Sequence, residues 1–388
     1  YFFRDLDLQW LKKNSWWPLG MALILAGVAL LYLEFTPMVK ALSEYQAASL
    51  TLAQRFMTQF RIVIFYLFLF LFPHPARLNL DHHFPVSLSL LDPPTTLLSV
   101  LAVFAILASA VVIARRYRFL SFGILWFMGN LVIEASVPGL DMVFEHRTYL
   151  PSILISMILV MFLYQFVTHI WIRRVVLLIF IAVGAVWTHE RNLVWADKAV
   201  LWEDAARKSP EKARPNINAG IANSEIGRFD KGIRYLEQAV KLQPDYVHPR
   251  INLANSLFIK GDYPRAEHHA RAILPMKPVD GESLNLLVMA HNTVGKSLAM
   301  QGKEEEALEN FRQARELNPD DLAASFNLSL VLANLGRFIE AEEHCVEALR
   351  IQPDYRAARL HLQEIRHRME PRKPSIYRPF GPEAGARR

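Results

Sequence analysis

Three groups of residues in this sequence have side chains whose types and spacing suit chemistry. The first is Asp81-His82-His83, in a Pro-rich stretch that also holds His74 and Arg77. The second is Glu145-His146-Arg147, which runs straight into Thr148-Tyr149-Leu150-Pro151. The third is dispersed: Asn218, Asn252 and Asn327, with Thr293 in the corresponding place between the last two. A guanidinium makes bidentate, permanently charged contacts, so Arg147, with Arg77 second, suits a lipid-linked phosphate. Glu145 suits orienting Arg147 or a sugar hydroxyl, and His146 stands between them. The blander reading makes these turn and interface residues, with Glu145 and Arg147 a structural ion pair. Asp81, His82 and His83 have metal-ligand chemistry, but adjacent histidines lack the helical spacing of a strong metal signal. No metal and no cofactor is expected. The single Cys345 excludes an internal disulfide and any cysteine-based metal site.

These residues need elements to place them, and the two halves of the 388-residue chain differ in kind. Up to about Thr188 it consists mainly of apolar runs; beyond that it is charged, rich in Ala and Leu, and helical in pattern. The net charge of +6 lies in short clusters beside apolar runs and in the last residues. That distribution suits membrane topology, whereas nucleic-acid binding needs a basic face on one folded domain. The chain starts Tyr-Phe-Phe with no Met, and reads as the later part of a larger protein.

A membrane-crossing helix needs about 20 apolar residues. Segments 15–33, 95–114, 119–137 and 148–167 fit, and 175–187 fits if extended through Thr188. Lys12 and Lys13, Arg115, Arg116 and Arg118, and Arg173 and Arg174 then mark cytoplasmic loops. Everything after about Glu190 falls on the far side, together with loops 73–94 and 138–151, which carry the first two groups. Ionisable residues at a membrane boundary are costly to hold there and point to function. The apolar stretch 62–72 has only eleven uncharged residues and connects two points on the same side. It reads as a re-entrant or interfacial helix; the alternative is a true span, with Lys12 and Lys13 outside.

The dispersed group lies in a repeat. Gly227 and Gly261 are 34 residues apart, as are Pro244 and Pro278, Gly302 and Gly336, and Pro319 and Pro353. Between the second and third units the interval is 41, an insertion of seven around 279–286. Small residues recur where helices must cross closely: Gly232, Ala266, Ala307 and Ala341, then Ala239, Ala314 and Ala348. This is the pattern of a helix-turn-helix solenoid of tetratricopeptide type. Residues 195–209 supply half a repeat and 356–369 a capping helix. The expected fold class is therefore all-α: a polytopic transmembrane bundle over 1–190, about four repeats over 191–370, and a disordered tail over 371–388. Asn218, Asn252 and Asn327 fall on the helix that lines the groove in such solenoids. An amide offers a donor and an acceptor to an extended peptide backbone whatever its sequence. The blander reading has them as surface residues, or bonded between neighbouring repeats.

The sequence resembles a known group at the His-Pro and Asp-His-His-Phe-Pro loop, at Glu-His-Arg-Thr-Tyr-Leu-Pro-Ser, and at the junction Trp195…Leu201-Trp202-Glu203-Asp204-Ala205…Lys208-Ser209-Pro210…Ala213-Arg214-Pro215. These features are similar to the transmembrane and tetratricopeptide-repeat proteins related to protein O-mannosyltransferases, in particular bacterial members with the GT-C membrane fold. The resemblance implies transfer of a sugar from a polyprenyl-phosphate donor to a protein Ser or Thr outside the cytoplasm, with the acceptor in the repeats. For a bacterial member, the chain sits in the inner membrane with its repeats in the periplasm. It also implies a catalytic carboxylate in a first outer loop, to which no position here corresponds. Asp5 and Asp7 precede the first span on the expected cytoplasmic side, so the catalytic base stays unknown. A non-enzymatic membrane scaffold, and an O-antigen ligase or polymerase, are the alternatives. Nothing points to nucleic acid as a partner.

Overall fold

The computed structural model describes residues 51–135, 143 and 145–370, though not the side chains of 52, 132–135, 146 and 147. The expected first span at 15–33, the Lys12–Lys13 cluster, Asp141 and the tail from 371 lie outside the described residues. So do the side chains of His146 and Arg147.

Among the described residues the fold is all-α. In the first half come α1 (Leu52–Leu71), α2 (Thr95–Ile113), α3 (Arg118–Ala135), a single 3-10 turn (Glu145–Thr148), α4 (Tyr149–Phe166), α5 (Ile170–Trp195) and α6 (Lys198–Lys208). Four of these, α1, α2, α4 and α5, are long and apolar enough to cross a membrane. Their exposed surface is apolar, as lipid demands: Val112, Tyr149, Phe166, Phe180 and Ile181 are all exposed. Ile62, Tyr66, Phe127 and Leu131 form the small core where α1, α2, α3 and α4 pack.

The expectation for 62–72 needs correction. The helix there has 20 residues, not eleven, because it starts ten residues earlier. Thr51 caps it through a reciprocal pair with Gln54, Thr51 N–H to Gln54 Oε1 at 3.0 Å and Gln54 N–H to Thr51 Oγ1 at 3.2 Å. Arg55 and Arg61, read as flanks, fall inside the helix. The length argument for a re-entrant segment is gone, which favours the alternative of a true span. The last apolar helix is also longer than its apolar stretch: α5 runs 26 residues and takes in Arg173, Arg174 and Arg191.

The second half comprises α7 (Ala213–Glu225), α8 (Phe229–Leu242), α9 (Val247–Lys260), α10 (Tyr263–Arg271), α11 (Gly281–Met300), α12 (Glu304–Leu317), α13 (Leu322–Asn334), α14 (Phe338–Ile351) and α15 (Arg356–Met369). The periodic glycines do a single job. Gly261 ends α9 at φ +91°, and Gly227, Gly302 and Gly336 hold the same position at φ +78°, +76° and +73°, a left-handed turn that other residues resist. The small residues sit at the crossings, with Ala266, Ala307 and Ala341 all fully buried. At Gly220 an added Cβ would stand 2.5 Å from Leu236 Cγ, so α7 and α8 approach too closely for any other residue. Phe311, Leu308, Leu328 and Leu332 centre the largest core. The insertion lengthens one helix. α11 has 20 residues where α9 has 14, and Asp280 caps its new start on Ser283 N–H at 2.8 Å.

The chain divides into two compact units, Tyr1–Pro215 and Asn216–Arg388. The expectation drew that line at 190. α6 goes with the first unit because loop 73–94 is bound to it.

Candidate functional site

The site lies within the first unit, where the loop between α1 and α2 folds back on α6. Both ends of that loop are tied. On one side Lys208 Nζ donates to the carbonyls of Pro75 (2.8 Å) and Leu78 (2.7 Å). On the other, Ser87 N–H donates to Thr58 Oγ1 at 2.9 Å, Thr96 Oγ1 to Ser87 Oγ at 2.8 Å, and Arg61 Nη1 to the Pro85 carbonyl at 2.7 Å. The Arg61 guanidinium also lies over the Phe84 ring, 5.0 Å from its centroid. Backbone groups that would otherwise be orphaned in a connecting segment are thus satisfied by side chains from two helices.

α6 can hold the loop because its own end is fixed. Asp197 caps its start on Ala199 N–H (2.7 Å) and Val200 N–H (3.0 Å). Asp204, only 6% exposed, meets Arg191 Nη1 at 3.0 Å, Arg207 Nη2 at 2.6 Å and Lys208 Nζ at 2.6 Å. Burial alone would raise the Asp204 carboxyl, but Lys208, Arg207 and Arg191 outweigh it and hold the group below its ordinary range. Pro210 follows, and the residue before a proline is pushed out of helical conformation, so α6 stops at Lys208.

The Ser209 hydroxyl, 1% exposed, sits at the centre. It accepts from Asn79 Nδ2 at 2.8 Å and from His83 N–H at 2.9 Å. The Asn79 amide also donates to the Asp81 carbonyl at 3.0 Å, and its backbone N–H donates to Glu145 Oε1. His82 Nε2 lies 3.1 Å from that same carboxylate oxygen, its ring edge-on to Phe65 with centroids 5.3 Å apart. Thr148 closes the turn by donating to the Glu145 carbonyl at 2.8 Å.

The structure therefore brings Asp81, His82, His83 and Glu145 into one cluster, and divides their roles. Asp81 is buried and bonded to Lys212 and, at 2.7 Å, to Arg214 Nε. His83 turns outward to Glu211 at 3.4 Å. His82 and Glu145 share a contact across the two loops, where the Asn79 N–H also reaches the same carboxylate. Arg77 stands apart, over the Phe72 ring at 5.3 Å. Phe72, His74 and Trp187 form an aromatic group beside it, each ring 5.2–6.1 Å from the others. Among the described residues no group of three or more potential ligands could hold a metal ion.

Sequence reasoning assigned no role to Asn79, Arg191, Asp204, Lys208 or Ser209. A signal was present: Asp204 and Lys208 stand one turn apart, and Asp204 falls among the small residues of α6 that become buried.

In the second unit, Asn218, Asn252 and Asn327 are half-buried on α7, α9 and α13. Asn252 Nδ2 gives one of its two hydrogens to the His248 carbonyl, at 2.8 Å. Thr293 does not join them as an open donor. Its hydroxyl donates to Met289 O at 2.8 Å and lies 2.9 Å from the side-chain amide of Asn255, in the preceding repeat.

The tetratricopeptide-repeat family model matches residues 217–281 and 295–356. Drosophila melanogaster protein O-mannosyl-transferase Tmtc3 is 28% identical over 172 residues, covering 42% of this chain and 18% of that protein. Human protein O-mannosyl-transferase TMTC1 is 24% identical over 220 residues, covering 48% and 24%. The peroxisomal targeting signal receptor of Eremothecium gossypii is 28% identical over 121 residues, covering 31% and 20%. The chain thus spans about a quarter or less of the length of these relatives. With four membrane-competent helices leading into tetratricopeptide repeats, the chain is similar to the transmembrane and tetratricopeptide-repeat O-mannosyl-transferases.

Proposed function

We propose that this chain is part of a GT-C-type membrane glycosyltransferase that moves a sugar from a polyprenyl-phosphate donor to a Ser or Thr of a protein held by its repeats. In a bacterial cell it sits in the inner membrane, with the repeats in the periplasm. The observation that carries the reading is the meeting of His82 and Glu145, brought from separate loops to the start of a membrane-competent helix. A charged carboxylate and an imidazole at membrane depth are expensive to keep there, and such pairs are retained where a polar ligand is handled. The similarity to O-mannosyl-transferases makes a sugar the natural ligand.

The division of labour follows from the contacts. Asp81, saturated by Lys212 and Arg214, anchors the loop. Glu145, set by the Asn79 N–H, and His82 bind sugar hydroxyls. Arg147 follows Glu145 in the same 3-10 turn, at the depth of a lipid phosphate, and neutralises the departing phosphate as the acceptor oxygen attacks the anomeric carbon. Arg77 is the second cation, and a carboxylate takes the acceptor proton. Asn218, Asn252 and Asn327 bind the acceptor backbone.

The test is transfer of labelled sugar from a polyprenyl-phosphate donor to a Ser/Thr peptide by membranes containing the protein. Arg147→Ala should abolish transfer at unchanged membrane abundance, and Arg147→Lys, which keeps charge but loses the planar fork, should be intermediate. A structural ion pair predicts something else: lowered abundance in the single variant, restored by Glu145→Gln with Arg147→Gln. An abundant and fully active Arg147→Ala protein ends the donor-site reading.

A further inference from the structure

The last turns of α5 carry a cluster of cations that sugar transfer does not use. Trp187, Arg191 and Trp195 follow one another at four-residue intervals, so they share a face of the helix. From Trp171, near the start of the helix, to Arg191 the chain rises about 30 Å, the thickness of a bilayer's hydrocarbon core. Both ends pair an arginine with a tryptophan: Arg174 lies over the Trp171 ring at 5.0 Å, and Arg191 over the Trp195 ring at 5.7 Å. Tryptophan favours the headgroup boundary, which puts Arg191 at headgroup depth.

Asp204 is one carboxylate facing three cations, Arg191, Arg207 and Lys208. Lys208 is satisfied, since its ammonium also donates to the Pro75 and Leu78 carbonyls. The two guanidiniums are not. Arg191 is only 8% exposed, yet its single hydrogen bond among the described residues runs from Nη1 to Asp204, and its Nη2 is buried with no acceptor. Arg207 likewise makes one, from Nη2 to Asp204, but its side chain is 76% exposed. A buried guanidinium with most of its donors unmet is costly to hold, and both Asp204 oxygens are already taken. Arg207 is thus the open end of the cluster, where an anion enters, and Arg191 the inner end that lacks one.

We propose that Arg191 and Arg207 bind the phosphodiester of an anionic phospholipid in the leaflet where α5 ends, clamping α5 to α6. Phosphate oxygens take guanidinium forks in charge-assisted pairs, and the lipid's negative charge offsets the surplus cation. This lipid is a resident of the fold, separate from the donor whose phosphate is assigned to Arg147.

The full chain in neutral detergent micelles is titrated with dioleoyl-phosphatidylglycerol, with zwitterionic dioleoyl-phosphatidylcholine, with undecaprenyl phosphate and with inorganic phosphate. Native mass spectrometry reads the tightest retained lipid, and thermal unfolding reads its effect on the fold. Phosphatidylglycerol binds about ten-fold tighter than phosphatidylcholine, the scale of one charge-assisted contact, and raises the melting temperature. Arg207→Gln, at an exposed position, and Arg191→Gln each remove that preference. Arg173→Gln with Arg174→Gln, at the opposite end of α5, leaves it intact. Equal binding of the two phospholipids overturns the site, as does a preference that survives in Arg207→Gln and Arg191→Gln or is lost in the Arg173 and Arg174 variant. The same stabilisation by inorganic phosphate makes it a free-anion site and overturns the lipid. Tighter binding of undecaprenyl phosphate, lost in the Arg191 and Arg207 variants, overturns the resident phospholipid in favour of the donor.

Discussion

His82 Nε2 lies 3.1 Å from Glu145 Oε1, joining two loops 63 residues apart in the chain. The contact is built from a distance: Asp204 fixes Lys208, Lys208 and Ser209 fix the loop, and Asn79 sets the carboxylate before His82 reaches it. Glu145→Gln and His82→Phe should each lower sugar transfer about ten- to hundred-fold, the kinetic equivalent of one lost charged hydrogen bond. His82→Phe keeps the packing against Phe65, so its abundance and melting should match the unaltered protein. Assays in isolated membranes with quantified protein decide it. If both variants transfer at the normal rate, the pair takes no part in the reaction.

Asp204 predicts a loss of stability. Removing one member of a buried charged group leaves the others unpaired, and Asp204→Asn should cost about 3 kcal/mol near neutral pH. Because its carboxyl is held below the ordinary range when folded, its contribution is present above the unfolded carboxylate pKa and fades as pH falls through the folded value. The unaltered and Asp204→Asn proteins should therefore melt apart at pH 7 and converge in strong acid. Equal melting at pH 7 would show that Asp204 stabilises nothing.

The repeats carry a second pH dependence. Burial, with His268, Arg250 and Arg265 nearby and Glu237 partly opposing, pushes His269 from 6.5 down to about 4. The unfolded chain binds this proton more readily than the folded one, so stability is intact above pH 6.5 and falls as pH drops toward about 4. His269→Phe should flatten the decline in melting temperature over that window. An unchanged slope would assign the decline to other groups.

Topology has its own test. With Arg115, Arg116 and Arg118 and then Arg173 and Arg174 in the cytoplasm, both α3, which covers most of the expected span 119–137, and α4 must cross between them. α5 then ends on the opposite side, with the repeats after it. A reporter enzyme that works only outside the cytoplasm, fused after Met369, should be active. A stable but inactive fusion reverses the orientation.

The sequence by itself determined the elements. The interval between Gly227 and Gly261 requires a left-handed turn once per repeat, and Ala266, Ala307 and Ala341 mark where helices touch. Both signals are local, set by backbone sterics and by the space a side chain needs. The apolar runs gave the membrane-competent helices, though not their ends: Thr51 starts α1 well before its apolar stretch because capping chemistry, not hydropathy, decides where a helix begins. Tertiary structure decided the site. Asp81, His82, His83 and Glu145 were legible as residues able to do chemistry, but Asp81 and His83 are taken up by Lys212, Arg214 and Glu211. That separation rests on Ser209 and Asn79, ordinary polar residues in sequence, which matter because folding buries them where each hydrogen bond must be made.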